Sequence, residues 1–215
     1  MTKTILGALA LAAASMTASA ANVTYSTAIT WNCNGVAGCG VSGNDLTIND
    51  LILRYAPNSA TVNAPTEPGF TGANFGELVA LCAVSGDCSG LTDIGGILIT
   101  VTINQTVPFI QSTQFNGVLG GMISNTQSLS KALVTFSPLT TFTSDGGSQI
   151  VNYFLQQPSF PANGYILNSI NDNSPTSLQS AINFDDVPEP STIALIGLGL
   201  LAVGFRRRKT DVDPR

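Results

Sequence analysis

The amino-acid sequence predicts an all-β protein, a single antiparallel β-sandwich of jelly-roll-like or Ig-like type, with an N-terminal signal peptide and a C-terminal hydrophobic helix. Three observations support the sandwich. Short alternating runs are rich in β-branched and aromatic residues, and Gly and Pro interrupt these runs. Lys and Glu, which are common on helix surfaces, are scarce in the chain.

The first twenty residues have the pattern of a secretory signal peptide. Lys3 precedes the apolar stretch Ile5–Ala14, and Ala18 and Ala20 are small residues of the kind that a signal peptidase accepts. We therefore predict cleavage between Ala20 and Ala21, and export through the inner membrane. A retained N-terminal helix is the alternative, and the short Ala-rich apolar stretch disfavours it.

Four cysteines occur as two pairs with the same spacing. Cys33 and Cys39 enclose five residues, as do Cys82 and Cys88, and both enclosed segments contain Gly. An exported domain with an even number of cysteines is typically disulfide-bonded. We predict the local bridges Cys33–Cys39 and Cys82–Cys88, while a crossed pairing stays open. A zinc site is disfavoured, because such sites prefer shorter spacings and often include His, which this chain lacks.

Alternating apolar residues predict strands throughout the central segment. The clearest strand runs from residue 97 to 107, with its odd-numbered apolar residues facing the core and its even-numbered residues facing away. Further strands are predicted within 23–31, 46–55, 115–123 and 133–136.

Four other segments are predicted to interrupt this pattern. A helix is considered near Gly76–Cys82, and long loops are expected at Tyr55–Ala73 and Asn168–Thr176. The pair Gly120-Gly121 indicates either a bulge or a close contact within the sheets, because Gly inside a strand commonly marks one of these.

Charge excludes one class of partner. Between Ala21 and Asp186 the chain has ten acidic residues and two basic ones, Arg54 and Lys131, which gives this segment a net charge of −8. Such a charge repels nucleic acid phosphates and anionic membranes. We therefore predict no nucleic acid partner.

The composition also limits catalysis. The absence of His excludes Ser-His-Asp and Cys-His arrangements and any His-ligated metal centre. Glu67 and Glu77 are the only glutamates between the two ends and are the one candidate acid and base pair of a glycosidase, but Glu67 lies in a loop-like segment. We predict no catalytic residue, no cofactor and no metal, and hence a protein that is not an enzyme.

Calcium is the alternative to a metal-free protein. Asn44-Asp45, Asn49-Asp50 and Asn171-Asp172-Asn173 place carboxylates beside amides, and calcium prefers such oxygen ligands. None of these segments has the spacing of an EF-hand loop. Asn and Asp also favour turns at strand ends, and this second interpretation is preferred.

The sole tryptophan, Trp31, lies two residues before Cys33. It could stack on a sugar or pack against the disulfide in the core. Packing is favoured, because a large aromatic side chain beside a cystine is a recurrent core feature of sandwiches.

The last thirty residues combine three features. The segment Val187-Pro188-Glu189-Pro190 precedes an uncharged apolar run, which is followed by Arg206-Arg207-Arg208-Lys209. As a helix, 191–205 would extend about 22 Å, against about 30 Å for the hydrocarbon core of a membrane. A helix of this length would barely cross the hydrocarbon core. The four cations form a membrane stop that stays on the cytoplasmic side, and the two prolines keep the approach extended.

These features, in this order, resemble the PEP-CTERM sorting signal of Gram-negative bacteria. The resemblance rests on the motif 187–190, the apolar run as a transmembrane sorting helix, and the basic cluster 206–209, so it covers only the end of the chain. It implies transient insertion in the inner membrane, processing by an exosortase, and delivery to the cell surface or extracellular matrix. A permanent membrane anchor that is never cut is the alternative.

The chain therefore divides into a signal peptide (1–20), a β-sandwich (21–186) and a sorting tail (187–215), with Asp185 and Asp186 expected as a soluble, extended approach to the tail. We expect a structural or adhesive role in biofilm, floc or exopolysaccharide matrix, with signal peptidase, exosortase and exopolysaccharide as partners. A carbohydrate-binding or calcium-dependent adhesion module is the alternative. A carboxylate-based hydrolase is a third hypothesis.

Overall fold

The computed structural model describes residues 20–66, 68–83, 88, 90–126, 129–137, 139–143, 149–156, 164–172, 174–186 and 199. Its strands and one short 3-10 turn, Ile170–Asp172, confirm the prediction of an all-β protein. In chain order the strands are β1 (Ala21–Asn32), β2 (Cys39–Ser42), β3 (Asp45–Ile48), β4 (Leu51–Ala56), β5 (Ser59–Ala64), β6 (Thr71–Cys82), β7 (Thr92–Asp93), β8 (Leu98–Val107), β9 (Gln111–Gly120), β10 (Met122–Ile123), β11 (Leu133–Phe136), β12 (Leu139–Thr143), β13 (Gln149–Leu155), β14 (Tyr165–Ile166) and β15 (Thr176–Asp186).

Two large antiparallel sheets contain most of these strands. The six-stranded sheet has the order β14-β11-β9-β8-β1-β5, and the seven-stranded sheet has the order β12-β13-β15-β6-β4-β3-β2. The short strands β7 and β10 pair with each other. The chain passes repeatedly between the two large sheets, for example from β1 to β2 and from β4 to β5, so neither sheet is a separate unit of sequence.

The strand predicted most clearly from the sequence is confirmed as β8. Ile99, Val101 and Ile103 are fully buried, whereas Leu98 and Thr100 on the opposite face are not. The strict alternation arises because successive side chains of a strand point to opposite faces of the sheet.

An aromatic cluster joins the inner faces of the two sheets. Tyr25 of β1 meets Phe75 of β6 edge to face, with ring centroids 5.5 Å apart, and Phe75 lies 5.8 Å from Phe115 of β9. Tyr153 of β13 packs against both Tyr25 and Phe75. Each such pair contributes about 0.5–1.5 kcal/mol beyond the burial of its area. The core therefore lies between the six-stranded and the seven-stranded sheet.

The helix considered at Gly76–Cys82 is wrong, because these residues form the second half of β6. Leu78 and Ala80 are buried at alternate positions, as a strand requires. Gly76, with φ +114°, lies against the ring of Tyr55, and a Cβ atom there would come within 2.6 Å of the ring. The glycine allows this contact within the strand.

The long loop expected at Tyr55–Ala73 is also wrong, since it contains β5, which pairs with the first half of β1. The small and polar residues of β5 concealed the strand in the sequence. Of the two alternatives for Gly120-Gly121, a bulge or a close contact, the structure confirms the close contact. Gly121 packs directly against the backbone of Lys131. The loop expected at Asn168–Thr176 contains the 3-10 turn.

All four tyrosines of the chain are buried, and each hydroxyl contacts a hydrogen-bond partner. Tyr25 donates to the carbonyl of Asn74 at 3.1 Å, and Tyr165 donates to the carbonyl of Gln179. The Tyr153 hydroxyl donates to Oε1 of Gln105 at 2.7 Å, across the space between the sheets. These contacts lower the cost of burying the hydroxyl groups.

Among the described residues, no helix is long and apolar enough to cross a membrane. The predicted signal peptide lies outside those residues except for the exposed Ala20, and the predicted sorting helix lies outside them except for the exposed Gly199.

Candidate functional site

The two ends of the folded body meet at one end of the molecule. Ala21, the first residue of β1, pairs with Ala64 at the end of β5. The next residue, Pro65, accepts a hydrogen bond from the backbone N–H of Phe184 at 2.9 Å. Phe184 lies two residues before Asp186, where β15 ends. We call this region, formed by residues 21, 64–66 and 184–186, the terminal pole.

The last strand continues directly to the predicted sorting motif. Asp185 pairs with Ile150 and Asp186 pairs with Gln149, so both acidic residues belong to the seven-stranded sheet. Both residues are extended, as expected, and the extension is that of a paired strand; their effect on solubility stays a prediction. Val187 follows the last paired residue immediately. The motif itself (187–190), the basic cluster (206–209) and Ala18 lie outside the described residues.

The disulfides lie toward the other end of the molecule. Eleven residue steps along β1, about 36 Å for an extended strand, separate Ala21 from Asn32. Cys33 is bonded to Cys39 with Cα atoms 5.8 Å apart, and Cys82 to Cys88 with Cα atoms 6.0 Å apart. The predicted local pairing is confirmed, and the crossed pairing is wrong.

Both disulfide loops contact the same turn, Asn49-Asp50, between β3 and β4. The N–H of Asn49 donates to the carbonyl of Gly38 at 3.1 Å, inside the first loop. The carbonyl of Asp50 accepts the N–H of Ala83 at 2.8 Å and lies 3.4 Å from Sγ of Cys88. We call this region the disulfide pole. Asn49 has a φ of +53°, which supports the interpretation of this segment as a turn.

A second calcium candidate, Asn44-Asp45, is engaged in other contacts. Asp45 accepts two hydrogen bonds from the guanidinium of Arg54, at 2.8 and 2.9 Å. This bidentate contact lowers the pKa of Asp45 and raises the pKa of Arg54. Within the part of the chain that the structure describes, no three His, Cys, Asp or Glu side chains group as metal ligands.

The structure also describes two of the other candidate residues predicted from the sequence, Trp31 and Glu77. Trp31 is only 5% exposed, and its indole Nε1 donates to the carbonyl of Asn44 at 3.1 Å, so packing is favoured over stacking on a sugar. Glu77 is half-buried on β6, where its cross-strand neighbours are Ala56 and Ser177. Glu67 lies outside the described residues.

The outer surface of the six-stranded sheet is uncharged. Its described strands contain no Asp, Glu, Lys or Arg. We call most of its outward side chains the neutral face; those included are the alternate residues of β1 from Asn22 to Thr30, of β5 from Ser59 to Asn63, of β8 from Leu98 to Asn104 and of β9 from Gln114 to Val118, with Thr135 of β11. The described charged residues lie on the other sheets or in connections.

Sequence reasoning missed this face, although a signal was present. Residues 94–130 contain no charged residue, and neither do residues 21–44. These two segments supply β1, β8 and β9, which lie side by side in the sheet. The pairing register of β8 with β1 and β9 places the outward residues of the two charge-free segments side by side. The two segments therefore form one continuous surface.

A shallow groove of about 430 Å³ lies on the neutral face. Aliphatic side chains and polar side chains share its lining, which includes Leu98, Thr100, Asn116, Val118, Thr135 and Ser137. Thr100 donates its hydroxyl hydrogen to Oδ1 of Asn116 at 3.0 Å. We call this feature the neutral groove. A separate recess of about 450 Å³ lies beside Lys131 and is mainly apolar.

Comparison with known proteins identifies the end of the chain. Residues 186–209 match the family model of the PEP-CTERM protein-sorting motif, which confirms the resemblance seen in the sequence. The motif supports an exported protein that exosortase sorts, with a cell-surface or extracellular location. No curated protein and no solved structure matches the chain.

Proposed function

We propose that the protein is a non-enzymatic component of the bacterial surface or extracellular matrix, with a structural or adhesive role in biofilm or floc. The observation that carries this proposal is the PEP-CTERM motif directly behind a disulfide-bonded, all-β body. Signal peptidase removes residues 1–20, and exosortase removes the tail near 187–190. The body that remains is residues 21–186.

The terminal pole suits this route of export. Ala21 and Asp186 lie at the same end of the body, so both flanking segments join the body at one end. The body can therefore fold as a β-sandwich while the signal peptide and the sorting helix are both inserted in one membrane. In this orientation the disulfide pole points away from the membrane.

The sandwich suits a passive role. Its two sheets share one aromatic core, and two cystines hold the connections at the disulfide pole. A hydrolase would need a second carboxylate close to Glu77, and its described cross-strand neighbours, Ala56 and Ser177, do not supply one. Calcium-dependent adhesion would need ligands other than Asp45, which Arg54 already engages.

Location in the native host tests the proposal. The double variant Pro188→Ala/Glu189→Ala should stay in the cell envelope, while the unaltered protein reaches the surface or matrix. Glu77→Ala is the matched control, since it removes one acidic side chain from the body, and it should distribute like the unaltered protein. Equal matrix levels of all three proteins would contradict the sorting step. Unchanged cohesion of the biofilm after gene deletion would contradict the structural role.

A further inference from the structure

We propose that the neutral groove binds a neutral polysaccharide chain, which rests on the proposed matrix function and names its ligand class. Within the described residues, the groove is the concave part of a surface that carries no charge. The ligand would therefore be recognised by hydroxyl, amide and aliphatic contacts, without an ion pair.

Electrostatics selects a neutral ligand over an anionic one. The segment 21–186 has a net charge of −8, and the six-stranded sheet contributes no cation that could attract an acidic polymer. An anionic polysaccharide would meet the repulsive field of the body and gain no ion pair in the groove. A neutral polymer avoids this cost. The same argument disfavours an anionic lipid surface.

The groove matches the two kinds of surface that a sugar ring presents. Leu98 and Val118 are cross-strand partners, 37% and 46% exposed, and form an aliphatic surface for the C–H groups of a ring. Thr100 and Asn116 form the next outward pair, two residues further along the strands, and supply hydroxyl and amide groups. Binding sites for small polar molecules typically combine an apolar lining with a few placed polar groups.

The neutral face extends this chemistry beyond the groove. The pair Thr102 and Gln114 follows Thr100 and Asn116 along the strands, and Thr30 faces Thr100 from β1. Neighbouring strands are about 4.8 Å apart, and outward residues repeat about every 6.7 Å. A polymer can therefore make similar contacts with successive units, whereas a single sugar would use only the groove.

Self-association is the less suitable alternative for this face. A stable interface buries about 800 Å² on each partner around an apolar core. On the strands of the six-stranded sheet, the large exposed apolar side chains are Leu98, Val107, Val118 and Ile166. Of these, Leu98 and Val118 alone are cross-strand partners, so the four do not form such a core. Two copies that meet here would also bring together two bodies of charge −8.

Paired isosteric variants test the groove. Thr100→Val/Asn116→Leu removes the hydroxyl and the amide while it keeps the side-chain shapes. The matched control is Thr47→Val/Thr71→Val, which removes two hydroxyls of the seven-stranded sheet that donate to the carbonyls of Gly40 and Asn63, away from the neutral face. Polysaccharide from the producing organism is first separated into neutral and anionic fractions on an anion exchanger. Each secreted protein is then mixed with each fraction, and its co-sedimentation is measured.

We expect the unaltered protein and the control to bind the neutral fraction, and the groove variant to bind it about tenfold more weakly, as expected for two lost hydrogen bonds. Failure to bind the neutral fraction, binding to the anionic fraction alone, or equal binding by both variants would overturn the proposal. Light scattering that showed a dimer of the unaltered protein, lost in the groove variant, would assign the face to self-association. Tail removal, measured by mass in the same samples, tests the sorting function separately.

Discussion

At the scale of single residues, the core depends on polar groups that are buried together with their partners. The Tyr55 hydroxyl donates to the carbonyl of Phe75 and is also hydrogen-bonded to Oγ1 of Thr27 at 2.8 Å, and Oγ1 accepts the N–H of Asn58. One threonine hydroxyl therefore links a core tyrosine to the connection before β5. The hydrogen bond from Tyr153 to Gln105 links the two sheets in a similar way.

The buried tyrosines predict loss of stability at alkaline pH. Burial raises the pKa of Tyr55 from 10.0 to about 12, and burial also raises the pKa values of Tyr25, Tyr153 and Tyr165. Because the folded state favours the neutral phenols, their contribution is complete below pH 10 and is lost as the pH rises from 10 through 12.

Tyrosinate absorbance and circular dichroism, followed together against pH, measure this effect. Tyrosinate should form only as the β-sheet signal is lost, whereas the denatured chain should titrate near pH 10. Ionisation of the tyrosines near pH 10 with an intact β-sheet signal would show that they are not buried as described.

Gly96 and Gly121 have similar backbone angles but different surroundings. Comparing their Ala variants therefore distinguishes the cost of crowding from the cost of backbone strain. Gly121 has φ +82° and Gly96 has φ +84°, but a Cβ atom at Gly121 would lie within 2.1 Å of the Lys131 carbonyl oxygen, while the space at Gly96 is open. Both Ala variants bear the cost of a positive φ, about 1 kcal/mol. Gly121→Ala should cost at least about 2 kcal/mol more, since the backbone must move. Equal free energies of unfolding in urea would contradict the contact.

At the scale of elements, sequence pattern succeeds where burial alternates and fails where it does not. β8 was predicted because its inward residues are Ile and Val. β5 has Ala and Val facing inward between small polar residues, so its periodicity is weak, and only pairing with β1 defines it. Spacing and Gly content predict the local disulfides, and the structure excludes the crossed pairing that the sequence leaves open. The shared turn between them depends on contacts that no spacing reveals.

We predict that the disulfides stabilise the disulfide pole and that the two large sheets form without them. Each closes a seven-residue ring, so its loss should cost about 2 kcal/mol on the chain-entropy model. For a domain of this size that corresponds to roughly 4–8 °C in Tm. The variants Cys33→Ser/Cys39→Ser and Cys82→Ser/Cys88→Ser should therefore keep the β-sheet circular dichroism but melt earlier. Complete unfolding of either variant at room temperature would contradict this division of roles.

At the scale of the whole molecule, the described charged residues lie outside the six-stranded sheet. The two ends of the body lie at the opposite end of the molecule from the cystines. The six-stranded sheet is neutral, and Asp45, Arg54, Glu77 and Asp185 belong to the seven-stranded sheet. The two ends of the body share the terminal pole, while the cystines lie at the disulfide pole. The sorting tail was evident from sequence because its three features are contiguous. The neutral face was missed, since the two charge-free segments that signal it form one surface only through the strand order.

The boundary of the body is predicted to fall at Asp186. β15 lies between β13 and β6 in the seven-stranded sheet, and its Ile182 and Phe184 are buried. A body of residues 21–186 should unfold cooperatively, with the Tm of the full protein. A body that ends at Gln179 should fail to fold, because it loses both side chains and half of a central strand. Similar melting curves for the two bodies would place the boundary earlier.

The most direct test of the central claim is the intact mass of the protein recovered from its native host. Sorting by exosortase predicts a mass that begins at Ala21 and ends close to Val187, with the tail retained in Pro188→Ala/Glu189→Ala. A mass that still includes Arg206 to Arg215 in the unaltered protein, and that those substitutions leave unchanged, would instead show a permanently anchored membrane protein.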